Sequence, residues 1–147
     1  HMTVSLDSPV NCIAASIDKE SRGNSTQDRR RIGFLLKERT HYKEFPSTVC
    51  KVIKQTAVVK TRHGRKHIVQ FPWAAHHRNA VVDAKDWPQH VILARYIIDH
   101  PVPSNLRGIV YFNQRPAGVG PQARLTAHTR AFNYYRSVKH LTGRSAG

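Results

Sequence analysis

Acidic residues are scarce in this sequence: 9 Asp and Glu stand against 24 Lys and Arg, a formal net charge of +15 over 147 residues. A domain this basic repels itself and persists best beside an acidic polymer, of which nucleic acid is one and an anionic cell envelope another. The deficit is uneven. Residues 51–67 hold six Lys or Arg and no acid, and the chain beyond Asp99 holds seven and no acid. Long apolar runs are also missing: Ile32 to Leu36 and Val91 to Ile98 are broken by glycine or arginine. Both fall far short of the roughly 20 residues that a membrane-spanning helix needs. Two cysteines, Cys12 and Cys50, are too few for a disulfide framework and lack metal-ligand spacing, so they read as reduced core residues, with a single disulfide as the lesser alternative. There is no repeat, no low-complexity segment, no zinc-finger spacing, no RRM or KH motif and no clear helix-turn-helix signature. The opening residues show neither a basic n-region nor an apolar h-region, so an export signal is not expected. His1-Met2 reads as a tag-cleavage remnant outside the fold.

What remains, 39% hydrophobic and 22% charged, is the composition of one folded domain, here residues 3–147. Ser8-Pro9 reads as an N-cap followed by proline at the first helical position. Val10, Ile13, Ala14 and Ile17 then give the stripe of an amphipathic helix that Gly23 stops. Ser25 with Asp28 has the spacing of a capping box for a second helix, with Ile32, Leu35 and Leu36 on its apolar face. A short third helix is expected from near Ser47. Ala57 to Thr61 and Lys66 to Phe71 flank Arg62-His63-Gly64-Arg65 as a β-hairpin. Pro72 to Asp86 reads as irregular, then a helix from Trp87 to about Ile98 with Val91, Ala94, Arg95 and Ile98 on one stripe. A strand over Ile109 to Asn113, a Gly/Pro loop over Arg115 to Pro121 and a last helix over Thr129 to Leu141 complete an α+β, mainly helical chain.

One residue does not suit its face. Glu20 lies seven positions after Ile13, about 700° around the helix and so within about 20° of the same direction. A carboxylate thus sits on an apolar stripe. Burial and the negative end of the helix dipole both disfavour its anion, leaving a carboxyl suited to general-acid work near neutral pH. The bland alternative is a buried salt bridge from Glu20 to Arg22 or Arg39.

The run Ile17-Asp18-Lys19-Glu20-Ser21-Arg22-Gly23 resembles the start of the catalytic domain in the spore cortex-lytic and cell wall hydrolase (SleB-like) family, where Glu-Ala-Arg-Gly ends the first helix. Further elements follow in order. The family's helix closing in Val-Leu-Asn-Arg falls on Leu35-Leu36-Lys37-Glu38-Arg39. Its Phe-Pro-x-Thr-Val with a downstream Gln falls on Phe45-Pro46-Ser47-Thr48-Val49 and Gln55. Gln-Phe-Ser-aromatic falls on Gln70-Phe71-Pro72-Trp73, and Tyr-Tyr-Phe-Asn on Val110-Tyr111-Phe112-Asn113. The likeness spans about residues 10–113 and leaves a basic extension over 114–147. Asn24, Glu38 and Pro72 depart from the pattern, the last removing a hydroxyl, and the family's terminal aromatic motif is only echoed in Phe132-Asn133-Tyr134-Tyr135.

The resemblance implies a lysozyme-like fold, with the hairpin and its exit forming one wall of a substrate cleft. It also implies cleavage of peptidoglycan glycan strands by a lytic transglycosylase whose catalytic residue is Glu20. Gln55, Gln70 and Asn113 would offer amides to the sugars, and Phe71, Trp73 and Tyr111 would offer ring faces; the alternatives are that the three aromatics are plain core and the two glutamines merely exposed amides. A hydrolytic glycosidase normally uses two carboxylates. Here the second is hard to find, which suits a single-carboxylate mechanism that ends in a 1,6-anhydro ring; a hydrolytic muramidase on the same fold is the alternative. No cofactor is called for. His63, His67, His76 and His77 invite a metal reading, but adjacent histidines diverge on regular structure and no acid is near in sequence, so no metal is expected. The implied partners are the glycan strands and, through the basic surface, the anionic envelope, with no specific nucleic acid, for a monomer. A phage endolysin-type enzyme, or a virion-associated one, acting in the periplasm or cell wall is the expected setting. Two readings of other classes compete: a basic nucleic-acid-binding module and an inactive envelope-binding protein.

Overall fold

The computed structural model describes residues 1–114, 123–129 and 131–137. It is an α+β chain in which four helices carry the core and three small antiparallel sheets surround it. Strand β1 (Met2–Ser5) precedes helix α1 (Pro9–Ser21), and the hydroxyl of Ser8 accepts the amide of Asn11 as the sequence predicts. A cap of this kind is worth about 1 kcal/mol. Helix α2 (Thr26–Arg39) starts on Ser25, whose hydroxyl accepts the Asp28 amide, and α3 (Val49–Ile53) starts on Thr48. Strands β2 (Thr56–Thr61) and β3 (Gly64–Val69) form the expected hairpin; Gly64, at φ 113°, takes a backbone position that a side chain would strain. Strand β4 (Asn79–Val82), helix α4 (Trp87–Asp99) and strands β5 (Ile109–Gln114), β6 (Ala123–His128) and β7 (Phe132–Ser137) follow. Helix α1 is the hub, packing on α2, α3 and α4. Its Ile13 and Ile17 are fully buried together with Ile32 and Leu36 of α2 and Ile97 of α4.

Several expectations are corrected. Among the described residues seven strands form, more than the one hairpin and single further strand expected. The largest miss is Thr129–Leu141: residues 132–137 are the central strand of the sheet β5-β7-β6, paired on both edges. Its aromatics suit helix or strand by spacing alone, and the sheet's hydrogen bonds, absent from any local pattern, decide. The rest of that helix, 138–141, and the loop Arg115–Pro121 lie outside the described residues. Within the stretch read as irregular, Asn79–Val82 pairs with Met2–Ser5, an association between segments too far apart for local reading to find. Met2, set aside as a remnant, opposes Val82 in that sheet. The buried stripe of α4 is His90, Ala94 and Ile97, one step round from the one expected, and Arg95 is exposed.

The cysteines are a correction as well. Cys12 and Cys50 are joined in a disulfide, their Cα atoms 5.4 Å apart. The bond ties the first turn of α1 to α3 across a boundary that hydrophobic spacing did not mark as close. No helix among the described residues is long and apolar enough to cross a membrane.

Candidate active site

Helix α1 ends at Ser21 because Gly23, at φ 86°, turns the chain away, and this leaves Glu20 in the last turn beside the core. Glu20 is half-buried, and the indole Nε1 of Trp73 donates to its Oε2 at 3.0 Å. Burial pushes the Glu20 carboxyl above the ordinary carboxylate range, while the Trp73 hydrogen bond and the Arg39 guanidinium oppose that push without cancelling it. Desolvation is the largest of these effects.

Arg39, the last residue of α2, is 2% exposed. Its Nε donates to the carbonyl of Val110 at 2.8 Å, and its guanidinium lies 4.8 Å from the Phe45 ring centre and 5.8 Å from that of Phe71. Burial pulls it down to about 10, with Tyr111 and Glu20 acting in the other direction. Neither Arg22 nor Arg39 forms an ion pair with Glu20 among the described residues. Arg22 instead meets Asp83 at 2.9 Å. Arg39 thus supplies charge to Glu20 from within the aromatic packing, without the direct salt bridge that was the alternative reading of Glu20.

Around this pair the aromatic residues interlock. Phe71 and Trp73 have ring centres 6.0 Å apart, Phe71 and Phe112 stack at 6.1 Å, and Phe45 and Tyr111 lie 5.8 Å apart. Phe71 is 1% exposed, so its face backs the site and is not offered to a sugar. Trp73 and Tyr111 are half-buried and keep accessible surface. Burial raises the Tyr111 phenol, with Glu44 adding to the rise, so it remains a hydrogen-bond donor at neutral pH. Gln55 donates its amide to the Glu44 carbonyl at 3.1 Å, which uses it to pin the loop after α2. Gln70 is exposed at the end of the hairpin. Asn113, in β5 opposite Asn133, has a buried Oδ1 without a hydrogen-bond partner among the described residues. It is the exit of the hairpin, at residues 71–73, that reaches Glu20; the strands themselves stand exposed and each has the other as its chief neighbour.

Comparison with protein families, characterised proteins and solved structures finds no match.

Four of the other acids have partners away from Glu20. Asp18 is buried against His90, 3.3 Å from its Nε2. Asp28 accepts the hydroxyls of Tyr134 at 2.6 Å and Thr129 at 2.8 Å. Glu38 lies 2.9 Å from Nδ1 of His41 and accepts the Gly108 amide. Asp83 caps the turn before α4 through the amides of Lys85 and Asp86. None of them bears on the protonation of Glu20. Among the described residues no three His, Cys, Asp or Glu side chains are grouped to hold a metal ion. What the arrangement can do is donate a proton from one carboxyl and then hold the resulting carboxylate against an indole N–H and a nearby guanidinium.

Proposed function

We propose that the chain is a peptidoglycan-cleaving glycosidase of lysozyme-like arrangement, most specifically a lytic transglycosylase acting through Glu20. One observation carries the reading: a single carboxyl, raised by burial and held by Trp73, whose protonation no other acid among the described residues perturbs. Glu20 protonates the glycosidic oxygen as the bond to the anomeric carbon breaks. The resulting carboxylate then takes the proton of the muramoyl 6-hydroxyl, whose oxygen closes on that carbon to give the 1,6-anhydro ring. Water is not consumed. Arg39 and Trp73 stabilise Glu20 during the interval in which it is charged. On this reading Trp73 and Tyr111 would offer ring faces to the sugars, and Gln70 and Asn113 amides.

The disulfide supports action in the cell envelope, because such bonds persist in oxidising compartments. The same bond weighs against a nucleic-acid-binding module of the cytosol. The test is the clearing of a purified peptidoglycan suspension. The native protein should clear it and Glu20→Gln should not; a variant as active as the native chain would sink the assignment.

A further inference from the structure

The β2–β3 hairpin is left over once the site is accounted for. Thr56 through Ile68 are exposed wherever their side chains are described, and neither strand packs extensively on any other element. Six-residue strands make an arm about 20 Å long. Isolated two-stranded hairpins are marginal in water, so an arm of this kind gains from something that covers it.

Its charge states what that is. No Asp or Glu occurs between Glu44 and Asp83. Lys60 stands directly opposite Arg65, while Lys66 opposes Val59 and Arg62 lies in the turn. Like charges placed directly across an antiparallel pair destabilise it. None of these four cations has an acid partner among the described residues. The exposed apolar side chains, Val58 at 51% and Ile68 at 45%, belong to successive cross-strand pairs, Val58 with His67 and Ala57 with Ile68. They therefore project from opposite faces. A bilayer would need them on one face, so the arm is not built to lie in lipid. A flexible, densely charged polymer needs no apolar face.

We propose that the hairpin is a docking arm for a polymer of phosphodiesters in the cell envelope, holding the protein beside the glycan that it cuts. Closely set Lys and Arg side chains are matched by phosphates, which stay ionised over the whole neutral range and accept several hydrogen bonds each. The choice of an envelope polymer over other polyanions rests on the function proposed above, whereas the location of the binding surface does not.

The experiment measures binding of the full chain to immobilised poly(glycerol phosphate) across a salt series. Two variants are compared, Lys60→Glu with Arg65→Glu on the arm, and Lys85→Glu with Arg95→Glu on exposed positions elsewhere; each pair lowers the net charge from +15 to +11. The arm variant should bind at least tenfold more weakly, with a salt dependence shallower by roughly 1.4 in log–log slope, about 0.7 per lost phosphate contact on a flexible strand. The control pair should lose much less. Equal losses would show adsorption by net charge and overturn the arm. Tighter arm-dependent binding to duplex DNA or to anionic vesicles than to the phosphodiester chain would overturn the partner. Binding requires no turnover, and the arm variant should still release fragments from peptidoglycan stripped of anionic polymer. Failure of the arm and failure of the catalytic reading are thus separate results.

Discussion

Reduction of the Cys12–Cys50 bond is a perturbation whose size follows from the fold. The bond closes a loop across a sequence separation of 38 residues. Chain-entropy reasoning assigns a loop of that length about 4 kcal/mol of stabilisation at 25 °C, through restriction of the unfolded chain. With a denaturant dependence of about 2 kcal/mol per molar urea, the unfolding midpoint should fall by about 2 M. Cys12 is fully buried in α1, whereas Cys50 is half-buried in α3, so Cys50→Ala disturbs packing least and isolates the covalent link. Urea unfolding followed by tryptophan fluorescence would compare the native chain, the reduced chain and Cys50→Ala. Reduced protein and variant should unfold at similar midpoints, both well below the native chain. Two titratable thiols in the native protein as purified, or a midpoint indifferent to reductant, would refute the reasoning and return both cysteines to the reduced state expected from their number alone.

Replacing Trp73 by Phe removes the donor that favours the Glu20 carboxylate, so the alkaline limb of the pH–activity profile should move to higher pH; an unmoved limb contradicts the assignment of the acid. Arg39→Met should shift that limb in the same direction, and Arg39→Lys should largely restore it. Glu20→Gln bears on stability as well. A carboxyl whose folded-state pKa is raised stabilises the fold when protonated, fully below the ordinary carboxylate value and progressively less as pH rises through the raised one. The variant should therefore melt above the native chain at neutral pH, with the gap closing near about pH 4. Tyr134→Phe takes one hydroxyl from the buried Asp28 and leaves that of Thr129, at an expected cost of about 1–2 kcal/mol in urea unfolding.

The parts of the fold that were legible in advance are those coded by neighbours in sequence. Ser8-Pro9, Ser25 with Asp28 and the glycine at 64 announce their helices and hairpin through bonds that span two to four residues. The failures share a different physics. Strand β7 exists because two partners flank it, β4 because Met2–Ser5 lies beside it, and the disulfide because α1 packs on α3. Such long-range contacts leave no period in the chain.

The site divides in the same way. Glu20 was visible because a carboxylate interrupted an apolar stripe, a local conflict. Trp73 was visible only as an aromatic residue after the hairpin, and nothing local indicated that its N–H would reach Glu20 from 53 residues away. Arg39 was visible as a charge, while its burial between Phe45 and Phe71 depended on three separate segments meeting. Phe71 was assigned to the sugar and belongs to the core behind it. A ring's chemistry is the same in either place, and burial alone distinguishes them.

The central claim is that one carboxyl does the work of two. Mass spectrometry of the fragments released from purified peptidoglycan tests it most directly, with the native chain and Glu20→Gln digested side by side. The native chain should yield 1,6-anhydromuramoyl ends and the variant no fragments. Reducing ends in their place, or anhydro ends undiminished in Glu20→Gln, would contradict it.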